Sequence, residues 1–208
     1  MLPFEKFIKR RMSEKRFIHS VNVAKTARWL AFKYGADEDK AVIAGMLHDI
    51  TKEWKIRDHL EFLHKKNIGV TKYEYACKKL FHSLTGACLV HSSFKIMNLD
   101  ILNAIRFHTT ARPGMSKLEK IIYVADFISD DRSYGGVNRL RALAALNLDS
   151  AVFAGLIDTI KELVHEGSII HPNTLNAYNE YIFRNKQQKY VSLSKNNLFL
   201  SNSEYLPR

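Results

Sequence analysis

The stretch Ala44-Gly45-Met46-Leu47-His48-Asp49-Ile50-Thr51-Lys52 decides how this chain is read. A short apolar run of helical character leads straight into an adjacent imidazole and carboxylate, and a threonine and a lysine follow at once. Neutral imidazole and carboxylate oxygen together suit Zn, Mn and Fe(II). A single His-Asp pair occurs by chance in many sequences, so its weight depends on comparable residues in comparable settings elsewhere.

On the N-terminal side, Ser13 is suited to cap a helix whose Phe17, Val21, Ala24, Ala27, Leu30, Ala31 and Tyr34 fall at helical spacing and which Gly35 ends. Arg16 and His19 lie on this helix, off its strict apolar stripe. Asp37 then caps a helix through Ala41, Val42, Ala44 and Leu47 that ends on His48-Asp49. On the C-terminal side, an amphipathic stretch from about Lys55 to His64 is broken at Asn67-Ile68-Gly69. Thr71 with Glu74 reads as a capping box for a helix towards Leu80. The next helix is expected from Thr85 to about Ser92, which leaves His82 just before it. Asp100 opens a further helix ending at Phe107-His108-Thr109-Thr110. Ser116 and Glu119 form a second capping box, and the helix behind it sets Ile121, Ile122, Val124, Ala125 and Ile128 around Asp126. Asp130 to Gly136 reads as a loop. Two more helices are expected, about Ser150 to His165 and about Asn173 to Arg184. From Asn185 on, the sequence is polar with no clear period and reads as a weakly ordered tail. No internal repeat and no alternating strand pattern is present. The expected fold is all-α, a helical bundle over residues 1–184 followed by a polar tail over 185–208.

The composition agrees. The chain has 208 residues, enough for about one domain, with 46% hydrophobic and 25% charged residues. Only 9 Gly and 4 Pro argue against a turn-rich β fold. No stretch approaches the roughly 20 apolar residues of a membrane helix, and the N-terminus lacks the apolar region of a signal peptide. Two cysteines, Cys77 and Cys88, make no disulfide framework. These features point to a cytoplasmic, reduced protein. The net charge of +11 favours anionic partners. The excess lies in scattered pairs such as Lys65-Lys66 and Lys78-Lys79, without an arginine-rich run, so nucleotide phosphate is as good a target as polymer.

Six polar residues stand in otherwise apolar helical settings: His19, His48, Asp49, His82, His108 and Asp126. Asp126 interrupts an apolar run on both sides, and a carboxylate there is costly unless paired or bound to a cation. A buried salt bridge to Arg106 or Arg132 is one solution, exposure between two apolar faces is another, and a shared metal is a third. A metal solves the whole set at once, and two cations become available when His82 and His108 join, with Asp49 between them.

The order His, His-Asp, two single His and then Asp resembles the HD-domain metal-dependent phosphohydrolases, and within them the bacterial YqeK-type symmetrical diadenosine tetraphosphate hydrolases. The words that carry the resemblance are Arg16-Phe17-Ile18-His19-Ser20, Gly45 to Lys52, Phe107-His108-Thr109-Thr110-Ala111-Arg112-Pro113-Gly114-Met115, and Tyr123-Val124-Ala125-Asp126-Phe127-Ile128 with Arg132 beyond. It covers the chain to about Arg184. Two positions depart from the pattern: Ser83 after His82, and Ala111, stand where such proteins commonly have glycine. The resemblance implies metal ligands at His19, His48, Asp49, His82, His108 and Asp126, a binuclear site with iron first and Mn, Co, Ni or Zn as other metals, and catalytic roles for Asp49 and Lys52. It implies substrate contacts at Arg16, Ser20, Thr51, Lys52, Gly86, Thr109, Thr110 and Arg132. The substrate it implies is a dinucleoside polyphosphate, cut symmetrically to two ADP, and dimers are common among such proteins.

Chemically, a binuclear site can bring the pKa of a bridging water to about neutral, and the resulting hydroxide attacks phosphorus. Lys52 is placed to serve the leaving group or to stand as an exposed helix-end lysine. Arg132 is suited to grip a distal phosphate bidentately. Thr109 and Thr110 can hydrogen-bond the nucleotide or cap the helix end at His108. Arg16 shares a helix face with His19 and can meet phosphate, Asp49 or Asp126. His59, His64 and His91 read as solvated, His165 as a helix-end imidazole, and His171 as part of a turn. Two other functions stay open on the sequence: an HD nucleotidase or phosphatase acting on other nucleotides, and a basic RNA- or ribosome-associated module with a structural metal. The absence of a recognised RNA-binding motif makes nucleic acid the weakest partner.

Overall fold

The computed structural model describes residues 5–195. Among them it is helical throughout, with no strand. Helix α1 spans Glu5–Lys9, α2 Glu14–Tyr34, α3 Glu38–Leu47 and α4 Ile56–Lys65. Helix α5 spans Lys72–Ala76, and a 3-10 turn at Lys78–Leu80 leads into α6, Phe81–Phe94. Helices α7 (Leu99–Phe107) and α8 (Lys117–Ile128) follow, then α9 (Val137–Leu146), α10 (Leu148–His165) and α11 (Pro172–Lys195). No helix of the described residues is long and apolar enough to cross a membrane.

Helices α2, α3, α7 and α8 form the centre, and Leu30, Leu47, Ile105, Ile121 and Ile122 are fully buried there. The caps expected from the sequence set where these helices start and stop. Ser13 Oγ accepts from Arg16 N, Asp37 caps α3, and Gly35 ends α2 with φ +62°, a left-handed turn that glycine adopts at no steric cost. Helices α2 and α3 approach closely at Gly45 and Ala24. A Cβ on Gly45 would lie 2.7 Å from Ala24 Cα, so only glycine lets the two helices meet here. That contact brings the end of α3 against the middle of α2. Beyond Leu47 the chain continues in tight turns, with Ile50 N, Lys52 N and Trp54 N donating to Leu47 O, Asp49 O and Thr51 O.

Several expectations are corrected. Helix α6 starts at Phe81 rather than Thr85, so His82 lies in its first turn. Ser83 and Thr85 do not break it because their hydroxyls donate back to Leu80 O at 3.0 Å and Phe81 O at 2.9 Å. Helix α5 is only one turn long, although the Thr71–Glu74 capping box is complete. Helix α7 is capped by Asn98 rather than opened by Asp100. Ser116 caps α8, but Glu119 turns its carboxylate to Arg112 instead of closing a box. Helix α9 is an addition: it starts after Gly136 with no capping side chain, so the sequence carries no start signal. Helix α11 runs through Asn185 to Lys195, where a weakly ordered tail is expected; residues 196–208 of that tail lie outside the described residues. His59 is buried, not solvated: its Nδ1 donates to Thr85 Oγ1 at 2.8 Å and its ring stacks on Phe81. Ala111 has φ +56°, a left-handed conformation that suits glycine better than alanine.

Candidate metal centre

The six residues singled out in the sequence converge. His19 comes from the middle of α2, His48 and Asp49 from the end of α3, His82 from the start of α6, His108 from the end of α7 and Asp126 from α8. His19, His48, Asp49, His82 and His108 are all buried, and Asp126 is partly so.

Asp49 stands in the middle, with its two oxygens facing different groups. Oδ2 lies 3.5 Å from His48 Nε2 and 3.9 Å from His19 Nε2. Oδ1 lies 3.1 Å from His82 Nε2 and 3.5 Å from His108 Nε2. Asp126 Oδ1 joins the first group at 3.1 Å from His19 Nε2 and 3.8 Å from His48 Nε2. Ligand atoms of His19, His48 and Asp126 all fall within 4.8 Å of one another, and so do those of His48, Asp49 and His108.

The orientation of each ring fits metal ligation. His48, His82 and His108 turn Nδ1 to the carbonyls of Gly45, Lys79 and Ile105 at 2.6–2.7 Å. A carbonyl only accepts, so each Nδ1 carries the proton and each neutral ring offers an Nε2 lone pair. His19 is held the same way by the Asp131 carboxylate, 2.7 Å from its Nδ1. His19 Nε2, His48 Nε2 and Asp49 Oδ1 are buried without a hydrogen-bonded partner. Buried polar atoms without partners are rare, and a divalent cation between them is the partner this donor set suits.

The electrostatics agree. Burial pushes the His48 and His82 imidazoles down to about 4, which keeps them neutral and able to ligate. Burial also acts against ionisation of Asp49 and Asp126. The neighbouring imidazoles outweigh it at Asp49, and His19, His48 and Arg132 outweigh it at Asp126, so both carboxyls are held below their usual range. Burial pulls His19 down, but the hydrogen bond and charge of Asp126, with Asp131, leave it raised.

Three cations border the cluster. Arg16 Nη1 donates to Asp49 Oδ2 at 2.6 Å. Lys52 Nζ lies 3.1 Å from His82 Nε2 and 3.7 Å from Asp49 Oδ1, and about a third of its side chain is exposed. Arg132 donates Nη2 to Asp126 Oδ1 and Nε to Asp126 O. The salt-bridge partner of Asp126 is therefore Arg132; Arg106 pairs instead with the buried Glu74.

The other residues expected to contact substrate have these neighbours. Thr51 is fully buried and donates to His82 O at 2.9 Å, tying the His-Asp turn to α6. Gly86 packs inside, where a Cβ would touch Ile105, His48 O and Thr51 Oγ1 at 3.5–3.6 Å. Ser20 is buried with its hydroxyl towards Met12 Sδ. Thr110 is buried, donates to Ala111 O, and accepts at its carbonyl from Thr174 Oγ1. Thr109 donates to Ser83 Oγ at 3.3 Å. Of these, Thr51 and Thr109 join neighbouring segments through their hydroxyls.

Two positioning residues are not singled out by sequence reasoning. Asp131, inside the Asp130–Gly136 loop, orients His19; its only sequence signal is its place five residues after Asp126. Arg141 of α9 donates to Ile128 O, Ser129 O and Arg132 O, which fixes the loop that carries Asp131 and Arg132.

A family model for the HD domain matches residues 16–130. The symmetrical bis(5'-nucleosyl)-tetraphosphatase of Halalkalibacterium halodurans is 36% identical over 179 residues, 86% of this chain and 95% of that protein. The protein of the same name from Bacillus subtilis is 36% identical over 172 residues, 83% of this chain and 92% of its own. The crystal structure of an HD superfamily hydrolase from Clostridium acetobutylicum superposes with a TM-score of 0.84 at 38% identity, covering 87% of this chain and 96% of that one.

Proposed function

The chain belongs to the HD-domain family, and on that premise we propose that it hydrolyses diadenosine tetraphosphate symmetrically, adding one water across the central bridge to release two ADP. The observation that carries this reading is the division of Asp49, one oxygen towards His19, His48 and Asp126 and the other towards His82 and His108. His19, His48, Asp49, His82, His108 and Asp126 would hold divalent metal here, with Asp49 facing both groups of imidazoles. Imidazole with carboxylate accepts Fe, Mn, Co, Ni or Zn, and iron is the metal we put first from the family resemblance. When bound, such ions polarise a phosphoryl oxygen and acidify water.

The chain's own residues do the rest. Arg16 and Arg132 flank the ligands and can pair with phosphate oxygens on either side of the cut. Lys52 is placed to place a positive charge on the departing diphosphate. The +11 net charge draws an anionic substrate towards the cluster. A cytoplasmic setting accords with the two free thiols, Cys77 and Cys88.

Product analysis tests the reading. Metal-loaded protein given diadenosine tetraphosphate is expected to yield ADP alone by ion-exchange chromatography, with no turnover in a His48→Ala/Asp49→Ala variant. AMP with ATP would overturn the position of the cut, and turnover of mononucleotides alone would favour the nucleotidase reading.

A further inference from the structure

A second cavity opens beside the metal centre, between α8, the loop after it and α10. Its volume is about 680 Å³, within the range of about 300–1,000 Å³ of small-molecule sites. Asp126 and Arg132 form its inner end. Tyr134 lines its wall, 40% exposed, with its hydroxyl donating to Phe127 O. Asp158 and Glu162, one helical turn apart on α10, and Arg139 of α9 also line it. Asp158 pairs with Arg139, whereas Glu162 has no ion-pair partner among the described residues.

The charge therefore changes along the cavity. The Arg132 guanidinium stands at the metal end beside Asp126, Tyr134 adds an aromatic ring, Arg139 and Asp158 neutralise each other, and Glu162 is left as a carboxylate without an ion-pair partner among the described residues. A phosphate chain fits the Arg132 end next to the metal centre, and the unpaired Glu162 carboxylate repels it elsewhere. A nucleoside fits the remainder. Its base has a face for Tyr134, and its hydroxyl and amino groups donate hydrogen bonds to acceptors such as Glu162.

We propose that this cavity binds one of the two nucleosides of a dinucleoside polyphosphate, with Tyr134 against the base and Glu162 accepting from the ribose or the base amine. The inference rests on the tetraphosphatase reading above, since a cut at the centre of a symmetrical substrate leaves a nucleoside diphosphate to be held on each side of the metal centre.

Two variants test it without disturbing the ligands. Gly135 lines the cavity, its φ is not left-handed, and a Cβ there meets nothing within 4 Å, so Gly135→Trp adds bulk without backbone strain. Glu162→Lys reverses an exposed charge. Calorimetry on the metal-loaded protein would use two probes: diadenosine tetraphosphate with a methylene at its central bridge, and methylenediphosphonate, which has phosphonates but no nucleoside. Both variants are expected to bind the first probe about tenfold more weakly and the second unchanged. Wild-type affinity for the first probe in both variants would overturn the proposal. So would equal loss of both probes in both variants, which would make these residues part of the phosphate site. A wild-type protein that binds methylenediphosphonate but not the dinucleotide probe would overturn the tetraphosphatase reading itself.

Discussion

His82 Nε2 and His108 Nε2 lie 3.1 Å apart, and each ring's Nδ1 is turned to a backbone carbonyl. In the neutral state both Nε2 atoms carry lone pairs; Lys52 Nζ, 3.1 Å from His82 Nε2, can donate to one of them, and a cation between the rings would satisfy both. His82 reaches only the Oδ1 side of Asp49, whereas His48 and Asp126 lie with the other side. On the proposal that His82 and His108 complete a second metal position, His82→Ala is expected to lower the metal content by about one ion per chain, measured by elemental analysis after gel filtration. Unchanged content would remove His82 from the ligand set.

Metal removal is expected to destabilise the protein. A ligand held at 100 times its Kd stabilises by about 2.7 kcal/mol. In a chain of this size each kcal/mol moves Tm by about 2–4 °C. A chelator should thus lower Tm by roughly 5–10 °C, read by differential scanning fluorimetry, and a His48→Ala/Asp49→Ala variant should show a much smaller drop.

Acid should weaken the metal-free protein well above the usual carboxylate range. His48 and His82 are pushed by burial to about 4, and burial lowers His59 as well. Their unfolded values stand near 6.5. Between these limits the unfolded chain binds protons that the folded chain does not, so stability is full above about pH 6.5 and declines as the pH falls towards 4. His19, with its raised value, opposes this weakly from the other direction. The urea midpoint at pH 5 should lie clearly below that at pH 7.5, and equal midpoints would contradict the neutral burial of these rings.

Asp131→Asn keeps the shape but removes the charge that orients His19. Loss of such an outer partner typically costs 10–100-fold in metal affinity or activity. Chelator competition should show that loss with the Tm of the metal-free protein nearly unchanged. An unaltered affinity would reduce Asp131 to an ordinary loop residue.

Gly45→Ala would force the new methyl into Ala24 Cα. Overpacking costs about 1–3 kcal/mol, and a backbone obstacle belongs at the upper end. The variant is expected to lose metal as well as stability, because any retreat of α3 carries His48 and Asp49 with it. A metal content equal to wild type would show that the cluster tolerates the shift.

The residues of the candidate metal centre were legible because they contradict their surroundings. Asp126 in an apolar helix and His48-Asp49 at the end of another are costly without a partner, and periodicity shows the contradiction. The caps at Ser13, Asp37 and Thr71 were legible for the same local reason. What could not be read depends on contacts between distant segments. His59 sits on a polar-looking stretch, yet α6 covers it. Asp131 looks like any loop aspartate until α2 is placed beside it. Helix α9 lacks a start signal because a left-handed glycine precedes it. Thr51 and Gly86 stand within or close to motif words, and their packing between α3 and α6 is visible only once those helices are placed side by side.

Arg141 has one more consequence. Its guanidinium holds the carbonyls of Ile128, Ser129 and Arg132 from behind, at a distance from every ligand atom. The loop bearing Asp131 and Arg132 is thereby latched from α9, in addition to the bonds its own side chains make to His19 and Asp126. An engineer who wished to widen the range of accepted nucleotides would begin at that latch, where the loop can be loosened without altering a ligand to the metal.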